Sequence, residues 1–134
     1  MDIVLVDTSV WINFFKGKET DASLYLKNNL SNFIIATCPV ILQEILQGIV
    51  TEKEFEKTNT YFNTLTRFVG NAYELAHDSA KLYRELRTIG ITVRKPNDCL
   101  IAVYAIKNNV RLLNDDRDFK LIAKYSPLQI FNFD

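Results

Sequence analysis

Ile3-Val4-Leu5-Val6-Asp7-Thr8-Ser9-Val10-Trp11-Ile12 is the stretch that decides the fold. Ile3 to Val6 is apolar without alternation, the pattern of a strand covered on both faces. Asp7-Thr8-Ser9 closes it with side chains suited to capping a helix. Val10, Trp11, Ile12, Phe14 and Phe15 then make a short helix apolar almost all round, which Lys16-Gly17-Lys18 stops. A buried strand running straight into a helix is the opening of an α/β unit.

The same alternation continues outward. A helix is expected from about Glu19 to Asn29, a strand over Phe33 to Ala36, and a helix from Pro39 to about Gln47 that Gly48 ends. Thr51 to Arg67 is more polar, with Phe55, Tyr61, Phe62 and Leu65 on one helical face, and Phe68-Val69 reads as a brief strand. Amphipathic spacing predicts a helix from about Tyr73 to Arg87, and an apolar helix runs from Pro96 to about Lys107. Arg111 to Leu113 is a strand, Asp116 to Lys124 a helix, and Leu128 to Phe131 a last strand. The expectation is an α/β protein with a central parallel sheet wrapped on both faces, one domain over residues 1–134.

Composition agrees with a folded chain of that kind. The 134 residues are 48% hydrophobic, and 16 basic residues balance 16 acidic ones. Zero net charge argues against a bulk basic field for nucleic acid, leaving room for a local patch. No signal peptide and no membrane span are expected. Cys38 and Cys99 lack metal-type spacing and read as buried, reduced thiols, which suits a cytoplasmic protein.

The informative residues are carboxylates where a core would prefer apolar groups. On a helix from Pro96, Asp98 shares a face with Ile101, Ala102 and Ala105, so it is buried among them or, alternatively, it or Asn97 caps the helix. Glu44 falls beside the arc formed by Ile41, Leu42, Ile45, Leu46 and Ile49, at the core margin. Asp7 ends the first strand, and Asn114-Asp115-Asp116-Arg117-Asp118 follows the strand Arg111 to Leu113. Ligands of open α/β sheets bind beyond the carboxyl ends of the strands. One aspartate of that last run is expected to cap the next helix, and Asp118 reads as an ordinary helix-start acid.

Converging carboxylates repel one another and resist ionisation, and a hard divalent cation relieves both effects. Magnesium or manganese would suit an all-oxygen set and promote phosphodiester hydrolysis. GxxxxGK[ST], GxGxxG and HExxH motifs are lacking, and the lone His77 reads as a surface residue. A phospho-accepting receiver domain or a DxDxT phosphatase would need a second acid after the first strand, which Asp7-Thr8-Ser9 does not supply.

Val6-Asp7-Thr8-Ser9-Val10-Trp11-Ile12, Leu42-Gln43-Glu44-Ile45, Asn97-Asp98-Cys99-Leu100-Ile101-Ala102 and Leu112-Leu113-Asn114-Asp115-Asp116-Arg117-Asp118-Phe119 occur in that order. In these motifs the chain resembles the PIN-domain ribonucleases, among them the VapC-type toxins of toxin–antitoxin pairs. The resemblance implies a three-layer α/β/α fold and Mg2+-dependent RNA cleavage, with Mn2+ able to substitute. It implies transfer or ribosomal RNA as substrate, 3′-hydroxyl and 5′-phosphate products, a homodimer, and inhibition by an antitoxin protein. Asp7, Glu44 and Asp98 match the family's metal-binding acids, and the fourth is Asp116 or its neighbour Asp115, with Asp116 preferred. Ser9 matches a polar residue that supports the first aspartate, and Asn114 stands where many relatives carry histidine or threonine. A non-catalytic PIN-like module that binds RNA or protein is the alternative.

Two further features bear on partners. Lys81, Arg84 and Arg87, with Arg94 and Lys95, offer a phosphate-binding rim or an ordinary solvated face. Trp11, Phe14 and Phe15 are either core or a surface for a partner.

Overall fold

The computed structural model describes residues 1–133. Its elements are β1 (Ile3–Val6), α1 (Thr8–Lys16), α2 (Asp21–Asn28), β2 (Ile34–Thr37), α3 (Pro39–Gln47), α4 (Glu52–Phe62), β3 (Thr66–Arg67), α5 (Ala72–Thr88), α6 (Asn97–Lys107), β4 (Arg111–Leu113), α7 (Asp118–Lys124) and β5 (Gln129–Ile130). The strands form a single sheet in the order β3-β2-β1-β4-β5, and every neighbouring pair is parallel. Helices flank it in a three-layer α/β/α arrangement, as the apolar run of β1 requires: Val4, Leu5 and Val6 are all buried.

The strand order carries a functional consequence. The chain winds outward from β1 in one direction through β2 and β3, then returns to β1's other side as β4. The connections at β1 and β4 diverge, opening a crevice at their carboxyl ends, the topological switch point of an open sheet. Leu5 pairs with Leu112 and Val6 with Leu113, and the Asp7 N–H continues the ladder to the Leu113 carbonyl at 2.9 Å. Asp7 is thereby pinned at the mouth of this crevice.

α1 begins there. Asp7 is its N-cap, and Gly17 ends it with a φ of 70°, a left-handed turn that a side chain would strain. Trp11 is fully buried and touches the Phe62 ring of α4 with centroids 4.9 Å apart, whereas Phe15 stacks on Trp11 and remains about half exposed. The aromatic segment is therefore divided between core and surface. α6 is buried nearly all round, from Asp98 and Cys99 through Ala105.

Several boundaries differ from the expected ones. The third strand is Thr66–Arg67 instead of Phe68-Val69, because these polar residues pair with Ala36 and Thr37 on the sheet edge while Phe68 turns into the core. The helix before it stops at Phe62, and α7 starts at Asp118, two residues late. Cys38 and Cys99 are buried free thiols, pushed by burial up to about 12 and about 11. Among the described residues no helix is long and apolar enough to cross a membrane.

Candidate functional site

The acids singled out in the sequence arrive at the switch point from four segments. Asp7 caps α1: its Oδ2 accepts the Ser9 backbone N–H at 3.0 Å and the Ser9 hydroxyl, while Oδ1 is buried without a hydrogen-bond partner. The local cap role and a site role coexist in one carboxylate, one oxygen for each. Burial foremost, opposed by the Ser9 donors and reinforced by the Glu44 charge, raises Asp7 to about 6.

Glu44 is half-buried on α3, and its Oε1 accepts the Thr8 hydroxyl at 2.8 Å. Asp98 lies in the first turn of α6 and is only 5% exposed. The capping alternative fails, because Pro96 is the N-cap and no side chain caps this helix. Asp98 Oδ2 is buried and unpartnered. Burial, followed by the charges of Asp7 and Asp116, lifts Asp98 to about 7. The negative charges of Asp7, Asp116 and Glu44 all act on Asp98, and that of Glu44 acts on Asp7.

The run after β4 separates into distinct parts. Asp115 turns to α1 and α2, where its Oδ2 accepts Asn13 Nδ2 at 2.9 Å and Thr20 Oγ1 at 2.7 Å. Its backbone N–H donates to Ser9 Oγ at 3.0 Å. Asp116 turns the other way: its Oδ1 accepts the Asp118 N–H at 3.0 Å, and Lys95 Nζ lies 3.3 Å from its Oδ2. Burial works upward on Asp116, but the Asp118 N–H, Lys95 and Arg94 outweigh it and hold the carboxyl below its ordinary value.

Asp118 is more than a helix-start acid. It is buried, pairs with Arg94 Nε at 3.1 Å, and joins Asp98 and Asp116 in a group whose candidate ligand oxygens all lie within 4.8 Å of one another. Its sequence position gave no sign of this. Thr8, Asn13 and Thr20 were also missed, although each sits where a short polar side chain can reach a carboxylate. The basic rim divides as well: Arg94 and Lys95 sit on the acids, Arg84 shares a groove with Asn97 and Leu100, and Lys81 shares a different one with Asp78 and Lys107. His77 is exposed.

The donor set is entirely oxygen, and two buried carboxylate oxygens lack hydrogen bonds where nearly all buried polar atoms have them. These residues fit a hard divalent cation better than a soft metal, since no cysteine or histidine takes part in the cluster.

A family model described as PIN domain matches residues 4–125, which contain every one of these acids. The chain belongs to the PIN-domain family. Within that family this PIN domain is 36% identical to ribonuclease VapC11 of Mycobacterium tuberculosis over 98% of its own length and 99% of the relative's, and equally so to a VapC ribonuclease of Mycobacterium bovis. Among solved structures it superposes on VapBC2 from Rickettsia felis, bound to a DNA fragment from its promoter, with a TM-score of 0.72 at 21% identity, covering 98% of this chain and 99% of that one. VapBC-1 from nontypeable Haemophilus influenzae gives 0.74 at 16% identity over 97% of both chains. At those identities the superpositions speak for the fold of this PIN domain, and the VapC relatives for its branch.

Proposed function

We propose that this chain, as one PIN domain over residues 1–134, is a magnesium-dependent endoribonuclease in which Mn2+ can substitute. In this reading it acts as the toxin of a type II toxin–antitoxin pair in the cytoplasm and cleaves transfer or ribosomal RNA. The observation that carries the reading is the pair of buried, unpartnered oxygens, Asp7 Oδ1 and Asp98 Oδ2, at the sheet's switch point. The names of the VapC relatives supply the substrate class.

Asp7, Glu44, Asp98 and Asp116 would hold the metal, with Asp118 beside them. Asp115 suits that role less well, because its carboxylate faces Asn13 and Thr20, whereas Asp116 has a ligand oxygen within 4.8 Å of those of Asp98 and Asp118. A bound divalent cation supplies positive charge that polarises a phosphodiester and makes water a better nucleophile. The protein's own part is to prepare the acids. Ser9 holds Asp7 by one oxygen, Thr8 orients Glu44, and the apolar face of α6 keeps bulk water from Asp98. Asp7 and Asp98 must give up protons for the metal to enter, which couples metal binding to pH.

A homodimer and an antitoxin partner complete the proposal. Two of the structural neighbours are VapBC assemblies bound to DNA, which supports an antitoxin. The half-exposed Phe15 and Tyr61 line an apolar groove with Ile49 and Val50, a surface on which such a partner would rest. Light scattering on the purified protein is expected to give twice the 15.5 kDa of one chain.

The decisive experiment incubates the purified protein with total cellular RNA, in Mg2+ or EDTA, alongside Asp98→Asn, and maps new 5′ ends. Discrete cuts that need both Mg2+ and Asp98 are expected. Metal uptake without any cut would redirect the search to a specific RNA absent from the pool. Neither uptake nor cleavage would make the chain a non-catalytic PIN-like module.

A further inference from the structure

The acids at the switch point are covered on one side by two basic residues from the loop before α6. Arg94 and Lys95 side chains are 58% and 63% exposed, yet they reach carboxylates that are only 8% and 11% exposed. Arg94 Nε lies 3.1 Å from Asp118 Oδ2 and its Nη2 3.5 Å from Asp116 Oδ1, while Lys95 Nζ lies 3.3 Å from Asp116 Oδ2. The two cations therefore stand between buried acids and solvent, on long flexible stems.

Their contacts use the same atoms that a metal needs. Both oxygens of Asp116 are engaged, Oδ1 by the Asp118 N–H and Arg94, Oδ2 by Lys95. A divalent ion held by Asp98, Asp116 and Asp118 would share Asp116 Oδ2 with Lys95, and its two positive charges would repel the ammonium and guanidinium packed against the same carboxylates. Asp98 Oδ2, buried and unpartnered in the same group, marks where such an ion would gain most. Release of both cations would balance the two positive charges that enter. The released guanidinium and ammonium then sit at the rim of the site, where an RNA phosphate approaches, and both groups bind phosphate well.

We propose that Arg94 and Lys95 form an exchangeable cationic latch, neutralising Asp116 and Asp118 in the metal-free protein and turning to the RNA backbone once a divalent ion is bound. This rests on the nuclease reading and extends it to the order of events: metal first, then RNA held by the freed cations. The latch competes with metal and assists RNA, so removing it moves the two affinities in opposite directions. A purely structural strut between the loop before α6 and the start of α7 would move both the same way.

The test uses the full chain. Calorimetric titration with Mn2+ compares wild type with the double variant Arg94→Gln, Lys95→Gln, and melting curves verify that each is folded. Fluorescence anisotropy with a labelled, phosphorothioate-linked single-stranded RNA of mixed sequence, in saturating Mn2+ and with the acids intact, follows binding without cleavage. The double variant is expected to bind Mn2+ about three- to tenfold more tightly and RNA more weakly. The slope of log affinity against log salt should fall by about 1.4, two contacts on a single strand at about 0.7 each. Arg94→Lys, which keeps the charge, should retain most of that slope. Unchanged Mn2+ affinity, unchanged RNA affinity, or a parallel loss of both overturns the latch and leaves the nuclease reading standing. A wild-type protein that takes up no Mn2+ overturns the nuclease reading and the latch with it.

Discussion

Asp7 and Asp98 lie within the same crevice as Asp116 and Asp118, yet the two pairs are built in opposite ways. Asp7 and Asp98 are enclosed by β1, α1 and the apolar face of α6, each with one oxygen unpartnered, and both resist ionisation. Asp116 and Asp118 sit on the loop side under Arg94 and Lys95, and Asp116 ionises more readily than an ordinary aspartate. Charge placed on the first half finds no cation in the protein to compensate it, whereas the second half has its compensation in place. A divalent cation bound as proposed would therefore gain its free energy mainly from the first half.

The largest way to break this contrast is Asp98→Asn. Metal-dependent cleavage should fall by more than about 100-fold, the upper range seen for groups that merely support a metal ligand. The metal-free variant should melt higher than wild type, since the substitution removes a buried charge whose raised pKa costs about 1.4 kcal/mol per unit. Cleavage retained in a metal-replete assay would remove Asp98 from the site.

The next measurement is pH dependence. Carboxyls raised to about 6 and about 7 keep their protons in the folded chain where an unfolded aspartate has lost them. Folding is thus favoured by these groups below about pH 4, and that contribution is lost as pH rises through about 7. Unfolding free energies from urea titrations in EDTA should decline over that window by several kcal/mol, at about 1.4 kcal/mol for each pH unit by which a carboxyl is raised. Saturating Mg2+ should flatten or reverse the slope, because binding strengthens as the protons leave. A flat EDTA profile would mean that the acids are not buried in the way described.

Ser9→Ala sharpens the contrast more gently. Loss of the hydroxyl leaves Asp7 Oδ2 with the residue-9 backbone N–H alone and should weaken Mn2+ about tenfold in calorimetry, the range expected for an outer-shell partner. Asp115→Ala should have the smallest effect on the site, with Mn2+ affinity within about twofold. Its cost falls on stability, roughly 1–3 kcal/mol from Asn13 and Thr20 left without their acceptor. Collapse of Mn2+ binding in that variant would make Asp115 the fourth acid after all.

The legible parts of the molecule were those governed by local pattern. The unbroken apolar run Ile3 to Val6 announced a doubly covered strand, and Asp98 stood out because every residue sharing its helix face is apolar. What sequence could not reveal depends on residues far apart in the chain. Asp118 follows Asp116 at a spacing common in first helical turns, and only Arg94, 24 positions earlier, gives it a different role. Asp115 and Asp116 are neighbours with the same side chain, separated by what happens to lie on either side of the loop. The edge strand Thr66–Arg67 was hidden because its pairing with Ala36 and Thr37, not its hydrophobicity, defines it.

The hydrogen bonds around Ser9 run in one direction. The Asp115 N–H donates to Ser9 Oγ, so the hydroxyl proton is free to point at Asp7 Oδ2. That oxygen also takes the Ser9 N–H, leaving Oδ1 alone toward the crevice. Asp7 would then offer an ion Oδ1 in preference to Oδ2. Calcium, with its larger coordination sphere, is often held by carboxylates through both oxygens, whereas magnesium keeps to six ligands at short range. A backbone N–H three residues before α7 would thus bear on which ion the site prefers, through the rotor of a single serine.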